Sequence, residues 1–584
     1  MNPFKWAWSY MQPYRWRLVL ATLFLLANAG LIVINPFLSG RIIDRIINQG
    51  ATTDLVFYLF IMVAVTLVRT TIRYAYQMIF EKAGQDAVYN LRNDLYRKLN
   101  MMDFAFFNHT RVGDIMARMT GDTDAIRHFL SWVAYNLVEC LVWFTAAVLV
   151  MAYISWPLML ALVALTPLIY FMAASMTKEA MPRFLDIRES FSRLNSMVEE
   201  NISGNRVVKA FVREDYEIEK FNHHNQDYKE KNLASAKVTA KYLPLLDLFA
   251  SLMSVVTLVF GGYLVIQDTM TIGDLVAFNG FLWMLNNPMR MSGWLINDVQ
   301  RFQASSKKIM AMLDYVPLIP VQDMDMDYRI KGDIRFDHVS FEFADDPDTP
   351  VLHDIHFEVK AGQTLGIIGQ TGSGKSTLVN LISRFYDPTE GTVYLDQKDA
   401  RSYPVRLLRG SISTVMQDIF LFSDTIEDNI SFGNPLADPA YIQSMARIAD
   451  AHSFISKMPD GYQTIVGERG VGLSGGQKQR ISLARALVKD PAILILDDTT
   501  SAVDMETEAK IQEELSKITH DKTTIIIAHR ISSVRDADLI LMMSQGRVVE
   551  QGTHAELVAL GGLYYQVYQK QLGLVASDPK KAGV

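Results

Sequence analysis

Long apolar runs without a formal charge restrict what this 584-residue chain can fold into more than any other feature. The longest extends from Cys140 to Thr177 and contains 38 residues. As a single helix it would be about 57 Å long at ~1.5 Å per residue, whereas the hydrocarbon core of a bilayer is about 30 Å thick. We therefore expect two membrane-spanning helices here, with a turn at residues 155–157, which read Ser-Trp-Pro.

Four further uncharged runs complete the pattern, at residues 18–34, 55–68, 248–267 and 275–289. Together with the two helices of the long run they predict an all-α membrane domain of six spans. For residues 55–68 and 275–289 a buried core helix is the alternative, because runs this short do not by themselves identify a span. An even number of spans favours the membrane interpretation for both.

Basic residues predict how the spans cross the membrane. The links after the second and fourth spans carry many Lys and Arg residues, whereas the links between the third and fourth and between the fifth and sixth spans carry none. Since basic loops stay on the cytoplasmic side, we expect a multi-pass protein of the cell (inner or cytoplasmic) membrane with both termini in the cytoplasm. The first apolar run is long and others follow it, which predicts a retained span rather than a signal peptide.

The composition agrees with a membrane protein and excludes other classes. Half of the residues are hydrophobic, and the mean hydropathy is +0.11. The net charge of -7 argues against a general nucleic-acid binder. Cys140 is the single cysteine of the sequence, so no intramolecular disulfide can hold this fold.

The two long basic links are rich in helix formers and poor in Gly and Pro, so we expect the spans to continue as helices beyond the membrane. Each link also has a short break, at residues 110–126 and 202–215, where glycines adjoin short amphipathic pieces. Small helices that contact a cytoplasmic domain and ordinary inter-helix turns both fit these local signals.

The composition changes around residues 314–332, where prolines and acids replace long apolar helices, as in a linker. Downstream, short β-rich runs such as "IRFDHVSFEF", "TLGIIG", "AILILDD" and "TTIIIAH" alternate with helical ones such as "STLVNLISRFY". This alternation predicts an α/β domain with a buried, largely parallel sheet. The predicted limits are a membrane domain at 1–318, a linker at 319–332, an α/β domain at 333–574 and a tail at 575–584.

The sequence "GQTGSGKST" fits the phosphate-binding loop G-x-x-x-x-G-K-[ST] and stands between a predicted strand and a predicted helix. Backbone N–H groups and the helix N-terminus would surround the phosphates of a nucleotide, Lys375 would reach the outer phosphates, and Ser376 would bind Mg²⁺. The nucleotide-binding residues are therefore predicted to be Gly369, Gln370, Thr371, Gly372, Ser373, Gly374, Lys375, Ser376 and Thr377. Asp497 ends a later apolar strand, where a second Mg²⁺ ligand is expected.

Three other features are weaker when each is taken alone. The sequence "LSGGQ", which contains Ser474, Gly475, Gly476 and Gln477, precedes a predicted helix and is either a second phosphate-binding turn or a common Ser-Gly-Gly turn. Gln417 and His529 are single residues, and surface or core polar groups are the more frequent interpretation of each.

In this combination and order the motifs resemble those of ATP-binding-cassette exporter half-transporters, over essentially the whole chain. On this resemblance residues 369–377 are the Walker A loop, Gln417 is the Q-loop glutamine and a Mg²⁺ ligand, and residues 473–477 are the signature. Asp497 ends Walker B, and His529 is the H-loop histidine. The "VGERG" stretch with Glu468 resembles the exporter-specific loop, and residues 501–504 resemble the D-loop. Phe343 takes the place of the adenine-stacking aromatic, usually Tyr.

The resemblance implies ATP and Mg²⁺ as ligands and two halves that enclose ATP between Walker A of one and the signature of the other. It also implies that residues 110–126 and 202–215 hold the coupling helices.

Asp498 departs from the family pattern, in which a glutamate normally follows the Walker B aspartate and polarises the attacking water. Loss of one methylene shortens the reach by about one bond, and a misplacement near 1 Å can cost on the order of 10²-fold in rate. We therefore expect a slow site on this chain. We also expect a heterodimer in which "LSGGQ" completes the active site of a partner half-transporter that carries the glutamate. The alternative is that Asp498 works through a bridging water or a shifted loop.

The sequence indicates the transported substrate less clearly than it indicates the nucleotide site. Aromatic and Met residues in the fifth and sixth spans suit apolar ligands or plain core packing. Glu139 and Asp247 lie in or near spans, where carboxylates either meet a cationic ligand or pair with a neighbour. We expect export of amphipathic, often cationic compounds. A lipid or lipid-precursor flippase, and a mainly regulatory ATP-binding subunit, are the alternatives.

Overall fold

The computed structural model describes residues 2–49, 53–320, 328–343, 346, 349–467, 470–498 and 505–572. Internal contacts divide the chain into two compact units. The first unit contains Met1–Asn100 and Thr110–Tyr315, and the second contains Met101–His109 and Val316–Val584. The division at Tyr315 lies close to the predicted end of the membrane domain at residue 318. The predicted tail, residues 575–584, lies outside the described residues.

The described part of the first unit is helical. Its α-helices are α1 Pro3–Met11, α2 Arg15–Gln49, α3 Thr53–Asn100, α5 Val112–Ala117, α6 Thr123–His128, α7 Ala134–Ile154, α8 Trp156–Val163, α9 Thr166–Ser203, α10 Asn205–Ala210, α11 Glu214–Ile266 and α12 Ile272–Leu313. The helix α4, Phe104–His109, belongs to the second unit. The spans continue as helices into the long basic links, as predicted, because α3 extends to Asn100, α9 extends to Ser203 and α11 begins at Glu214.

Five helical segments are long and apolar enough to cross a membrane, among the described residues. They are Pro3–Arg45, Leu55–Asn100, Val112–Ile154, Trp156–Ser203 and Glu214–Ile266. The long uncharged run does divide at Ser155, whose backbone is extended between α7 and α8. The sixth predicted span, residues 275–289, lies within α12, which is not among these five. Its sequence includes Asn279, Asn286 and Asn287 and is soon followed by Arg290, so the sixth span stays a prediction.

The core of the first unit is formed by apolar side chains of α2, α7, α9, α11 and α12, among them Trp143, Met253, Phe278 and Phe281. The start of α12 is held against α2 by a close backbone contact and a cap. A Cβ atom added to Gly40 would clash with the carbonyl oxygen of Gly273, so no larger residue fits there without a shift. The Gly273 N–H donates to the Asp44 carboxylate at 2.7 Å, which satisfies one free donor of the helix N-terminus.

The second unit contains two sheets and a set of shorter helices. Its strands are β1 Ile334–Phe341, β2 Leu352–Val359, β3 Thr364–Gly369, β4 Glu390–Leu395, β5 Lys398–Asp399, β6 Ile412–Val415, β7 Ile493–Asp497, β8 Thr523–Ile527, β9 Leu539–Ser544 and β10 Arg547–Gly552. Its later helices are α13 Lys375–Ile382, α14 Val405–Gly410, α15 Ile426–Ser431, α16 Pro439–Ile448, α17 His452–Ile455, α18 Gly475–Val488, α19 Met505–Ile518, α20 His554–Leu560 and α21 Leu563–Gln571.

The larger sheet has the order β10-β9-β3-β8-β7-β6, with parallel pairing throughout except between β9 and β10. Strands β3 and β7 are almost entirely buried, as expected for central parallel strands covered on both faces. The smaller sheet, β2-β1-β4-β5, is antiparallel. The predicted α/β domain with a largely parallel sheet is therefore confirmed.

This topology determines where a site can form. Strands β3, β8, β7 and β6 are neighbours and run in the same direction, so their carboxyl ends lie along one edge of the sheet. Ligands of open α/β sheets bind at such an edge, because the loops there can converge without crossing a strand. The loops that follow these four strands carry the phosphate-loop sequence, His529, the two adjacent aspartates and Gln417.

Candidate nucleotide-binding site

The phosphate-loop sequence forms a tight turn between β3 and α13. Gly372 and Gly374 have φ values of +80° and +93°, a left-handed conformation that side chains disfavour. A Cβ atom on Gly374 would also lie 2.7 Å from Leu352 Cδ2. Gly374 is the N-cap of α13, so the first N–H groups of this helix open toward the loop. The turn therefore has the backbone form that binds phosphate groups.

Lys375 is folded into this loop. Its ammonium group donates to the carbonyl oxygens of Gly369 at 2.8 Å and Gln370 at 2.9 Å, and the residue is only 7% exposed. Burial lowers the pKa of the ammonium group, and the negative charges of Asp497 and Asp498 oppose this change. A buried ammonium beside a loop of N–H groups provides a concentrated positive charge for phosphate oxygens.

The Walker B aspartate lies within reach of the loop. Asp497 ends β7, and its carboxylate accepts a hydrogen bond from the Ser376 hydroxyl at 3.2 Å. Burial raises the pKa of the Asp497 carboxyl, and the like charge of Asp498 adds to the rise, whereas the Ser376 hydrogen bond, Lys375 and His529 oppose it. A hydroxyl and a carboxylate so close together offer two oxygen ligands of the type that Mg²⁺ prefers.

Asp498 follows directly and has an unusual backbone. Its φ is +47°, in the left-handed region that non-glycine residues seldom adopt. Its N–H donates to the carbonyl oxygen of Ile527 at 3.0 Å, which extends the pairing of β7 with β8 by one residue. The position of its Cα atom is thus set by the sheet, and the reach of its carboxylate depends on the length of the side chain.

Gln417 and His529 lie at the same edge of the sheet. Gln417 is exposed two residues after β6, which pairs with β7. His529 is exposed two residues after β8, and it lies near enough to the Asp497 carboxyl to oppose the rise of that group's pKa. The strand topology therefore brings both single residues to the edge that carries Lys375 and Asp497, which local sequence signals alone did not indicate.

The signature sequence begins a helix elsewhere in the second unit. Ser474 is the N-cap of α18, and a reciprocal capping box joins its side chain to the N–H of Gln477 and the side chain of Gln477 to the N–H of Ser474. Ser474 and Gly475 are exposed. A capped, exposed helix N-terminus is suited to contact a ligand presented by another molecule. Glu468 and residues 501–504, the predicted exporter loop and D-loop, lie outside the described residues.

Phe343 belongs to a group of aromatic side chains that also contains residues of α4. The sequence did not predict that α4 packs here. The Phe343 ring packs edge-on against Tyr386, with centroids 5.4 Å apart. Phe104 of α4 stacks on Phe385 at 4.2 Å, and Asn108 donates from its amide to the Tyr386 hydroxyl at 2.6 Å. Helix α4, just before the predicted coupling segment at 110–126, therefore packs within the second unit. That predicted segment lies in the first unit, and α10 forms the short helix expected within 202–215.

The two carboxylates in or near spans have protein partners. Glu139 is 2% exposed, and one of its oxygens accepts a hydrogen bond from the Tyr76 hydroxyl at 2.7 Å. Asp247 forms an ion pair with Arg290 at 3.4 Å. Asp247 therefore pairs with a basic neighbour, which was one of the two possibilities for these carboxylates.

The Met and aromatic side chains of the fifth span, of the predicted sixth span and of its continuation differ in exposure. Met253, Phe281 and Met284 are buried in the core of the first unit, whereas Trp283 and Trp294 are exposed. Core packing therefore accounts for the first three side chains, whereas the two tryptophans are exposed on this chain, with the Trp283 ring 5.1 Å from that of Trp143.

The residues at the sheet edge fit a magnesium nucleotide. The Ser373 hydroxyl is buried inside the loop and has no hydrogen-bond partner among the described residues, so it is an orphaned donor where phosphate oxygens would lie. Lys375 and the loop N–H groups would hold the phosphates, and Ser376 and Asp497 would hold Mg²⁺. The metal ion, when bound, neutralises charge that develops on the phosphates.

A helical membrane unit joined to a phosphate-loop α/β unit defines an ATP-driven membrane transporter. The model of the ABC transporter transmembrane region matches residues 18–289, and that of the ABC transporter domain matches residues 352–501. The chain belongs to the ABC transporter family and combines one membrane domain with one ATP-binding domain, as in bacterial exporters. It is a multi-pass membrane protein whose transport is coupled to ATP hydrolysis.

Relatives are similar over nearly the whole chain. The uncharacterized ABC transporter ATP-binding protein YknU of Bacillus subtilis is 38% identical, with 98% of each chain covered. The probable multidrug resistance protein YheI of the same organism is 36% identical, with 97% of each covered. The ATP-dependent lipid A-core flippase of Syntrophus aciditrophicus is 33% identical, with 98% of this chain and 95% of the relative covered.

A solved structure has the same fold. The structure of a bacterial Atm1-family ABC exporter with ATP bound superposes with a TM-score of 0.83 at 28% identity, covering 97% of this chain and 99% of the other. The exporter fold predicted from the ordered motifs is therefore confirmed.

Proposed function

We propose that this chain is one subunit of a heterodimeric ATP-driven exporter and that its own nucleotide site hydrolyses ATP slowly. The observation that carries the proposal is the position of Asp498. The strand pairing through the Ile527 carbonyl fixes its backbone, so the side chain cannot regain the missing methylene by a shift of the strand. Phosphoryl transfer depends on the position of the attacking water, so a carboxylate that stops short lowers the rate.

The remaining site residues are suited to ATP binding. In this proposal Phe343 stacks on adenine, residues 369–377 hold the phosphates, and Ser376, Gln417 and Asp497 hold Mg²⁺. His529 contacts the outer phosphate, and Asp498 acts weakly on the water. Ser474 and its neighbours up to Gln477 complete the site of the partner, since the intact capping box keeps that helix N-terminus ready for phosphate. The domain limits at residues 1–318, 319–332, 333–574 and 575–584 and the cytoplasmic position of both termini belong to the same proposal.

The substrate class in this proposal is amphipathic. A cleft of about 430 Å³ in the first unit lies between α9, α11 and α12. Its lining combines Met176, Met181, Phe184 and Trp294 with the charged groups of Arg290 and Asp298. Met and aromatic side chains accept varied apolar shapes, and the charged groups accommodate a polar end. The relatives named for multidrug resistance and for lipid A-core transport are both consistent with such a ligand.

The test compares the purified chain alone with the chain combined with a half-transporter that carries Glu after its Walker B aspartate. We expect slow ATPase from the chain alone and fast ATPase from the pair. During turnover of the pair, photo-crosslinkable ATP should remain unhydrolysed on this chain. Equal, fast ATPase from the chain alone would refute the heterodimer and the slow site together.

The same preparation separates the alternative roles. Reconstituted pairs are supplied either with a fluorescent organic cation or with a labelled lipid, and ATP-dependent movement of each is measured. We expect movement of the amphipathic cation. Movement of lipid alone would identify a flippase. If ATP stays bound to this chain but transport is unchanged when that ATP is removed, the chain has no role in the power stroke.

A further inference from the structure

Two histidines and two aspartates form a cluster on the solvent face of the smaller sheet, outside the nucleotide site. Asp337 and His338 belong to β1, and Asp354 and His356 belong to β2. The His338 ring nitrogen Nδ1 lies 2.6 Å from an Asp354 oxygen, and His356 Nδ1 lies 3.8 Å from an Asp337 oxygen. The two imidazole rings are stacked, with centroids 5.2 Å apart and planes at 25°.

Irregular pairing of the two strands creates this cluster. The register passes from Phe336 opposite Phe357 to Val339 opposite Ile355, so β1 has one residue more than β2 between these pairs. Because strand side chains normally alternate between faces, the extra residue turns both Asp337 and His338 away from the core.

The backbone at the cluster is strained. His338 and Asp354 both have left-handed backbones, with φ values of 51° and 49°. Such conformations are costly for residues other than glycine and concentrate at functional sites.

We propose that this cluster is a binding site for a divalent transition-metal ion of the zinc class. One ligand atom each from Asp337, His338 and His356 can be chosen so that all three lie within 4.8 Å of one another. In a tetrahedral site with bonds of about 2.0–2.1 Å, ligand atoms are about 3.3 Å apart. Small side-chain rotations close this difference, because the three residues are exposed or partly exposed.

The donor set selects the kind of metal. Imidazole nitrogens suit Zn²⁺, Ni²⁺ and Cu²⁺, whereas Mg²⁺ and Ca²⁺ prefer sites made of oxygen atoms. The Asp354 carboxylate beside His338 is in the position of an outer partner that orients a ligating imidazole. Three protein ligands leave a fourth position for water.

The test measures Zn²⁺ uptake by the whole protein in detergent. The chain is purified without a polyhistidine tag, stripped with a chelator and dialysed against Zn²⁺ in the presence of excess Mg²⁺. We expect one Zn²⁺ per chain that Mg²⁺ does not displace, and loss of this ion in the double variant His338→Asn, His356→Asn. Each single histidine variant and Asp337→Asn should bind at least ~10-fold more weakly.

His353→Asn is the matched control, since His353 lies on the same strand but outside the cluster, and it should bind Zn²⁺ as the original chain does. Circular dichroism and ATP binding check that the variants are folded, and Asp337→Asn replaces the double variant if that one is unstable. Zn²⁺ uptake that is equal in the original chain and the cluster variants, or no uptake by the original chain, would overturn the proposal.

Discussion

At the scale of single residues, the fixed backbone position of Asp498 makes the rate of ATP hydrolysis depend on the length of its side chain. The sheet holds its Cα atom through the bond to Ile527, so one methylene changes the reach of the carboxylate without changing the strand. We expect Asp498→Glu to raise the ATPase rate of the purified chain by up to about 10²-fold, because a displacement near 1 Å carries a cost of that order. The measurement is phosphate release at saturating Mg²⁺ and ATP.

Two variants frame this comparison. Asp498→Asn keeps the length but removes the charge and should hydrolyse ATP no faster than the original chain. Lys375→Ala should lose ATP binding, since it removes the buried ammonium from the phosphate loop. If Asp498→Glu and the original chain had the same rate, the shorter side chain would not be the cause of slow turnover.

The raised pKa of Asp497 predicts a pH dependence of magnesium-nucleotide binding. Burial and the charge of Asp498 raise this pKa, so the carboxyl takes up a proton at a higher pH than an ordinary aspartate. Mg²⁺ requires the ionised form, so the Mg²⁺-dependent part of ATP affinity should fall as the pH decreases through the raised pKa and return above it.

Asp498→Asn tests the cause of this shift. Removal of the like charge lowers the Asp497 pKa, and the loss of affinity should therefore move to lower pH. Asp418→Asn, which changes an exposed carboxylate after β6, is the control and should leave the curve in place. Titration calorimetry of ATP with and without Mg²⁺, repeated over a range of pH, gives the Mg²⁺-dependent part of the affinity. If this part falls at the same low pH in the original chain and in both variants, the charge of Asp498 does not raise the Asp497 pKa.

At the scale of elements, α4 is the helix whose packing the sequence did not reveal. It begins four residues after α3 ends and belongs to the nucleotide-binding unit, so the chain passes directly from a long helix of the first unit into this contact. Phe104→Ala removes the stacked ring on Phe385, a contact of about 1 kcal/mol beyond its buried area. We expect transport to fall several-fold, whereas ATP binding stays within about twofold.

Met101→Ala is the matched control, because Met101 is an exposed neighbour in the same segment. It should leave both transport and ATP binding close to their original values. Equal transport by Phe104→Ala and Met101→Ala in vesicles would mean that the stacked contact between Phe104 and Phe385 does not contribute to transport.

The contrast between β3 and α4 explains how far the sequence could be interpreted. Strand β3 is a buried apolar run directly before a glycine-rich loop. The strand, the helix that follows it and the phosphate-binding motif are therefore all visible within about a dozen residues of sequence. Helix α4 has six residues, and its partners Phe385 and Tyr386 lie more than 270 positions away, so no local pattern specifies the contact. The converging positions of Gln417 and His529 likewise depend on strand order, which local signals do not contain.

The predicted sixth span shows a limit of a different kind. Charge-free length identified residues 275–289, but three asparagines lower the apolarity of the run. The helix α12 that contains it extends over 42 residues and packs against α2, α7 and α9, so much of its stability comes from neighbours rather than from its own hydropathy. A hydropathy window scores only the apolarity of the sequence, so polar residues that a helix packs against protein neighbours lower its score.

At the scale of the whole molecule, the proposed heterodimer makes the two motifs of this chain unequal. Walker A belongs to the slow site, whereas the signature completes the fast site of the partner. In the reconstituted pair, Ser474→Arg should therefore abolish nearly all ATPase activity, because it places a bulky cation at the helix N-terminus that meets the partner's nucleotide. Lys375→Ala should reduce the same activity by only a few-fold, since it removes ATP from a site that contributes little turnover.

Ser474→Thr is the control for the signature variant, because threonine retains both the hydroxyl and the helix cap, and it should preserve most of the activity. In a symmetric dimer of identical chains each site would use both motifs, so Ser474→Arg and Lys375→Ala would be equally inactive. Equal loss in the pair would thus contradict the asymmetric assignment, whereas strong loss for Ser474→Arg with mild loss for Lys375→Ala locates the working site at the signature of this chain and the Walker motifs of its partner.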